Sequence, residues 1–149
     1  MLARAVVAFL ALPGMVAYVV PFLLAPRETA RAAPWRWSGT ALIALGTLLL
    51  LRCVRDFYVA GRGTLAPWSP PRRLVRTGPY RWSRNPMYLS VLIVLIGWAT
   101  LHRSSVLWVY AAAVAVAFHA RVVLFEEPRL RKDFGEEWAR YMAAVRRWI

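Results

Sequence analysis

The chain has 149 residues, 60% of them apolar and only 18% charged, where soluble domains are roughly a quarter charged. One domain fits that length, and the composition excludes an ordinary soluble one. A net charge of +13 admits nucleic acid as a partner, but fifteen of the twenty Lys and Arg lie between residues 52 and 84 or from 121 onward, which is the positive-inside pattern of a membrane protein and not a phosphate-binding stripe.

Four apolar stretches, at residues 5–25, 38–57, 86–101 and 104–125, predict helical spans. A bilayer core about 30 Å thick takes roughly 20 helical residues, so the third stretch is short. The first imitates a secretory signal, with Arg4 before it and Ala30-Arg31-Ala32 after it. It exceeds the roughly 7–15 residues of a signal core, so we read it as a retained helix kinked at Pro13 and Pro21. Arg27, Arg31 and Arg36 oppose the orientation that the other basic residues favour, but they are fewer. The expected topology therefore places both termini and the central loop in the cytoplasm, with attraction to anionic lipid accounting for the remaining charge. Cys53 is the only cysteine, which rules out an internal disulfide and reads as helix packing.

Residues 58–85 form a long polar interruption carrying Gly61, Gly63, Pro67, Pro70, Pro71, Gly78 and Pro79, a composition that breaks helices. Trp68, Leu74, Val75, Tyr80 and Trp82 supply apolar surface with which it can fold back onto the bundle or the headgroups. Asn85-Pro86 signals a helix start, with Asn capping free amides and Pro at the first helical position. Such an N-terminus also suits a carboxylate or phosphate. Residues 102–105 then give a tight turn, so residues 86–125 should be an antiparallel hairpin.

Glu126 and Glu127 end the fourth apolar stretch, where a helix dipole disfavours negative charge. Their partner is either an arginine, such as Arg81, Arg84 or Arg121, or the ammonium or sugar hydroxyls of a bound cofactor. His119 shares a face with Val123 and Glu126, to line a cavity or to make an interhelical hydrogen bond. Arg121 can snorkel to the interface or offer a bidentate fork to an anion. Beyond Pro128, residues Leu130, Phe134, Trp138, Tyr141 and Val145 recur at spacings of four, four, three and four, while Arg131, Lys132, Arg140, Arg146 and Arg147 fall elsewhere. Residues 126–149 thus read as a cytoplasmic interfacial amphipathic helix, with a bend at Gly135. The sequence has no His-x-x-x-His pair, Gly-x-Gly-x-x-Gly or Walker loop, and no assignable serine nucleophile, so no metal is expected.

The run Leu74-Val75-Arg76-Thr77-Gly78-Pro79-Tyr80-Arg81, then Arg84-Asn85-Pro86-Met87-Tyr88, then Glu126-Glu127-Pro128-Arg129-Leu130, then Phe134-Gly135-Glu136-Glu137-Trp138 and Tyr141, resembles the isoprenylcysteine carboxyl methyltransferase and phospholipid N-methyltransferase superfamily. Gly61-Arg62-Gly63-Thr64 and Pro70-Pro71 are similar to its bacterial members. About ninety C-terminal residues carry the likeness, and the first two spans agree in hydropathy alone. The resemblance implies an all-α, polytopic integral membrane bundle of about four spans, in a single domain whose two N-terminal spans run to residue 57. It also implies S-adenosylmethionine as cofactor, bound without a Rossmann domain on the cytoplasmic side of a bacterial cytoplasmic membrane. By the same likeness Tyr80, Arg84, Pro86, Tyr88, Glu126 and Glu127 take the cofactor, with Asn85 in the place of the family's histidine, while the guanidinium fork of Arg121 is expected to orient the acceptor in methyl transfer. That acceptor is a membrane lipid or a prenylated small molecule or peptide. The family's histidine is Asn85 here, which cannot accept a proton, and this tilts the expectation toward a carboxylate, already ionised at neutral pH, over an amine. A phospholipid amine methyltransferase and a non-catalytic packing protein are the alternatives.

Overall fold

A computed structural model of the chain describes residues 10–26, 34–61 and 74–149, with no strand among them. Residues 5–9 of the predicted first span, and Arg62, Gly63, Thr64, Pro70 and Pro71 of the central loop, lie outside the described residues. A π-helix over Leu10–Val19 leads into α1 (Val20–Leu24). The long helix α2 (Pro34–Gly61) follows, then a 3-10 turn at Gly78–Arg81 and α3 (Pro86–His102). Next come α4 (Ser105–Arg121), a π turn at Val122–Glu126 and α5 (Glu127–Ala144).

Proline explains the irregular start. A proline inside an α-helix lacks an N–H and crowds the carbonyl four residues back, and a wider turn relieves both faults. Pro13 sits in the π-helix, and Pro21 occupies the first turn of α1, where no donor is required.

The short third stretch is the structural centre. Ser90, Val91, Val94, Leu95, Gly97 and Ala99 of α3 are all buried, and α2 is its most extensive neighbour. Glycine allows that approach: a Cβ at Gly46 would stand 2.9 Å from the Ser90 carbonyl oxygen, and one at Gly97 would stand 2.9 Å from the Gly39 carbonyl oxygen. In lipid, helices associate through such close contact and a few polar bonds, because the tails are as apolar as the helix faces. Leu50, Val91, Val94 and Leu95 fill the interface together with Ala17 and Ala111. The Tyr18 hydroxyl and Thr47 Oγ1 share a hydrogen bond of 2.7 Å, and the Tyr110 hydroxyl donates to the Val16 carbonyl at 3.1 Å. The opposite faces carry Leu48, Val109, Val116 and Leu124, each about two-thirds exposed, an apolar exterior suited to a bilayer.

Two helical runs, Pro34–Asp56 and Ser105–Ala144, are long and apolar enough to cross a membrane, while Pro13–Leu24 and Pro86–His102 are shorter apolar helices. The expectation of four spans therefore rests on two long helices and two short ones. The turn from α3 to α4 forms as expected, with Arg103 left-handed at φ 48° and Ser104 Oγ accepting from the Leu107 amide at 3.4 Å. The C-terminal helix differs from its prediction. It is not a separate element, because α4, the π turn and α5 form one run. The π turn lies just before Pro128, where widening the helix keeps the ring off the preceding carbonyls. The bend comes at Gly135, as expected, with φ 47° and ψ −119°.

Candidate functional site

Gly78 initiates the site. Its φ is 58°, and a Cβ there would collide with the Asp56 carboxylate, which Arg52 Nε holds at 3.1 Å. The turn it permits sends Tyr80 inward beside Cys53 and Val75. The Tyr141 hydroxyl clamps it by donating to the Tyr80 carbonyl at 2.7 Å. Burial pushes the Tyr80 phenol well above the usual tyrosine range, so it stays neutral.

At the head of α3 the expected cap is replaced by another arrangement. Asn85 makes no side-chain bond to the helix amides. Its Nδ2 donates at 2.9 Å to the carbonyl of Arg147, and Ser83 Oγ accepts from the Asn85 amide at 3.1 Å. The Arg84 amide also reaches this tail, donating to the Arg146 carbonyl at 2.9 Å. The extended residues after α5 present carbonyls that would otherwise lack donors, and they take the Asn85 side chain from its capping position.

The paired glutamates do not close a helix, so the dipole argument made for them fails. Both lie inside one continuous helical run, where the Glu127 amide already donates to the Val122 carbonyl and no helix end faces either carboxylate. The π turn aims the two carboxylates at different partners. The Tyr88 hydroxyl donates to Glu126 Oε1, and Arg121 Nε bridges both, at 2.9 Å from Oε1 and 3.1 Å from the Tyr88 oxygen. Glu127 receives Arg147 through both oxygens, at 2.8 and 2.9 Å, and Arg84 Nη1 lies 3.0 Å away as an ion pair. The hydrogen bonds from Arg147 stabilise its own charge.

Arg84 is the anomaly of the cluster. Its side chain is only 8% exposed and sits over the Trp138 ring at 5.5 Å, and while Nη1 meets Glu127 as an ion pair, Nε is buried without an acceptor. Burial works against its charge, and Glu127 is the main group supporting it. Orphaned donors of this kind cost roughly 1–3 kcal/mol each and mark a place where an oxygen ligand would be stabilised.

Tyr88, Arg121 and Glu126 thus form one cluster, Arg84 and Glu127 a second, and Asn85 joins the second through the tail. Tyr80 lies behind the turn, and Pro86 faces an open groove of about 550 Å³ lined also by Leu49, Arg52, Arg81, Trp82 and Trp148. Arg81 makes no ion pair with either glutamate. His119 bonds the tail rather than a neighbouring helix, accepting from Trp148 Nε1 at 3.3 Å. Sequence reasoning missed Arg147, which it placed on the outer face of α5. The helix ends at Ala144 and Val145 is extended, so the helical period no longer applies where Arg147 turns inward.

Comparison with known proteins adds the chemistry. A family model described as phospholipid methyltransferase matches residues 35–137, which include the Gly78 turn, the head of α3 and both glutamates. An uncharacterized protein of Haemophilus influenzae is 33% identical over 63 residues, 42% of this chain and all of that protein. No solved structure matches.

Proposed function

The chain belongs to the phospholipid methyltransferase family, and from that membership we propose that it moves a methyl group from S-adenosylmethionine to the carboxylate of a lipid-like acceptor, an isoprenylcysteine-type O-methylation. One observation supports the cofactor: the buried Arg84, whose Nε lacks an acceptor, stands beside Glu127. A ligand bearing both a carboxylate and an ammonium fits that pair, the carboxylate on Arg84 and the cation on Glu127 in exchange for Arg147. Glu126 and Tyr88 offer acceptors to ribose hydroxyls, while Tyr80, Asn85 and Pro86 shape the wall. When bound, the cofactor supplies an electrophilic sulfonium methyl. Arg121, half exposed beside Glu126, would orient the anionic head of the acceptor. A carboxylate needs no base, which suits a site where Asn85 stands in the histidine position. The acceptor would be a membrane lipid or a prenylated molecule or peptide, reached from the cytoplasmic face.

Methylation of a phospholipid amine is a second reading, favoured by the description of the matching family. Supplying phosphatidylethanolamine and a prenylated cysteine in parallel, with methyl-labelled cofactor, decides between them. Glu126→Gln with Glu127→Gln should abolish cofactor binding in calorimetry on protein that still unfolds cooperatively, and undiminished affinity would remove the glutamates from the site. Arg121→Ala should slow methyl transfer far more than it weakens cofactor binding. Equal losses would contradict an acceptor-orienting role.

A further inference from the structure

Residues 145–149 follow α5 without helix or strand, beginning with an extended Val145, and segments of that kind are ordinarily loose. This one is fastened on three sides. Its backbone accepts from the segment ahead of α3: the Arg84 amide donates to the Arg146 carbonyl at 2.9 Å, and Asn85 Nδ2 and Ser83 Oγ both donate to the Arg147 carbonyl, at 2.9 and 3.3 Å. Its side chains reach the other two sides. Arg147 takes both carboxylate oxygens of Glu127 with Nε and Nη2, at 2.8 and 2.9 Å, and Trp148 Nε1 donates to His119 of α4 at 3.3 Å. The tail thus ties the head of α3, the last turn of α4 and the start of α5 to one another.

Of the two guanidinium groups on Glu127, only one is free to leave. The Arg84 side chain is 8% exposed and packed on Trp138, whereas that of Arg147 is 36% exposed and stands on chain with no helix around it. Its fork makes paired, charge-assisted hydrogen bonds to the carboxylate, and so fills the face of Glu127 that a ligand's ammonium would otherwise meet. A further cation cannot share that face, because like charges repel strongly where water is scarce. We infer that the tail is an internal plug: while Arg147 sits on Glu127 the site is shut to a ligand's cation, and it opens in those molecules whose tail has let go. The inference rests on the cofactor reading above and adds its regulation, since the apparent dissociation constant becomes the intrinsic one divided by the fraction of molecules with the tail released. Trp148 bonds neither glutamate, and its N–H to His119 acts by keeping the tail in place.

The test is calorimetry on the full chain in neutral detergent micelles with two ligands, S-adenosylmethionine and methylthioadenosine, which has the nucleoside and sulfur without the carboxylate and ammonium. Arg147→Gln should tighten S-adenosylmethionine about tenfold and leave methylthioadenosine unchanged. Trp148→Phe, which keeps an aromatic ring and removes the N–H, should tighten S-adenosylmethionine about threefold. A nitroxide on Arg146→Cys, in a Cys53→Ala background, reports the tail directly, because the Arg146 side chain is exposed and its backbone carbonyl makes the bond to Arg84. The label should be immobilised in the free protein and gain motion when S-adenosylmethionine saturates the site, but not with methylthioadenosine. No gain in affinity from either variant, an equal gain for both ligands, or a label still immobilised with S-adenosylmethionine bound overturns the plug and leaves the cofactor reading standing. Failure of S-adenosylmethionine to bind either the unaltered chain or Arg147→Gln sinks the cofactor reading, and the plug with it.

Discussion

Glu127 holds two guanidinium groups, Arg84 packed on Trp138 and Arg147 reaching back from the tail. Replacing its charge leaves two cations facing each other at a largely buried position. Glu127→Gln should therefore lower stability by about 2–3 kcal/mol, read as a fall in Tm in detergent. Adding Arg147→Gln should recover part of the loss, because it removes one of the opposed charges, and strictly additive effects would show that the groups do not interact. Arg84 and both glutamates were legible in the sequence because motifs announce them. Arg147 was not, since extrapolating a helical period past the real helix end puts a residue on the wrong side.

Among the elements, α5 and the α2–α3 interface depend on glycine for different reasons. Gly135 has φ 47° and open space around it, so Gly135→Ala meets no clash but adopts a conformation that L side chains avoid. The expected cost is about 1–3 kcal/mol. The same change should straighten α5 and loosen Tyr141 from the Tyr80 carbonyl, detectable as faster hydrogen exchange in residues 77–82. Gly46 has no such space. Gly46→Val must push α3 away at Val94 and Ser90, and should cost about 1–3 kcal/mol or more by overpacking. A Tm unchanged by Gly46→Val would contradict the close approach of these helices. The bend at Gly135 could be read from the residue type, whereas the π turn before Pro128 could not, because proline merely forbids the regular ladder and neighbouring packing selects the remedy.

For the whole molecule, the basic segments 52–84 and 121–149 predict that both face the cytoplasm. In a Cys53→Ala background, a cysteine replacing Arg140 should react with an impermeant maleimide only after the cells are opened, and one replacing Arg103 should react in intact cells. The reverse pattern would invert the topology, and with it the side from which the site is reached. The Gly78 turn, the head of α3 and the C-terminal tail do lie together at one end of the bundle, as the hydrogen bonds of Arg84, Asn85 and Ser83 to Arg146 and Arg147 require.

Taken by itself, the sequence determined the helical class, the apolar helices suited to a membrane, the turn between α3 and α4, the buried face of α5 at Trp138 and Tyr141, and the motifs that gather around the head of α3. These follow from hydropathy, helical period and the fixed φ of proline, which act over a few residues. Only the tertiary structure decided that α3 is the central helix, that Asn85 holds the tail and not its own helix, that the two glutamates turn to separate arginines, and that a groove opens beside them. Each of those depends on which donors and charges meet across the bundle, and long-range pairing is set by the competition among all possible partners for the few buried positions.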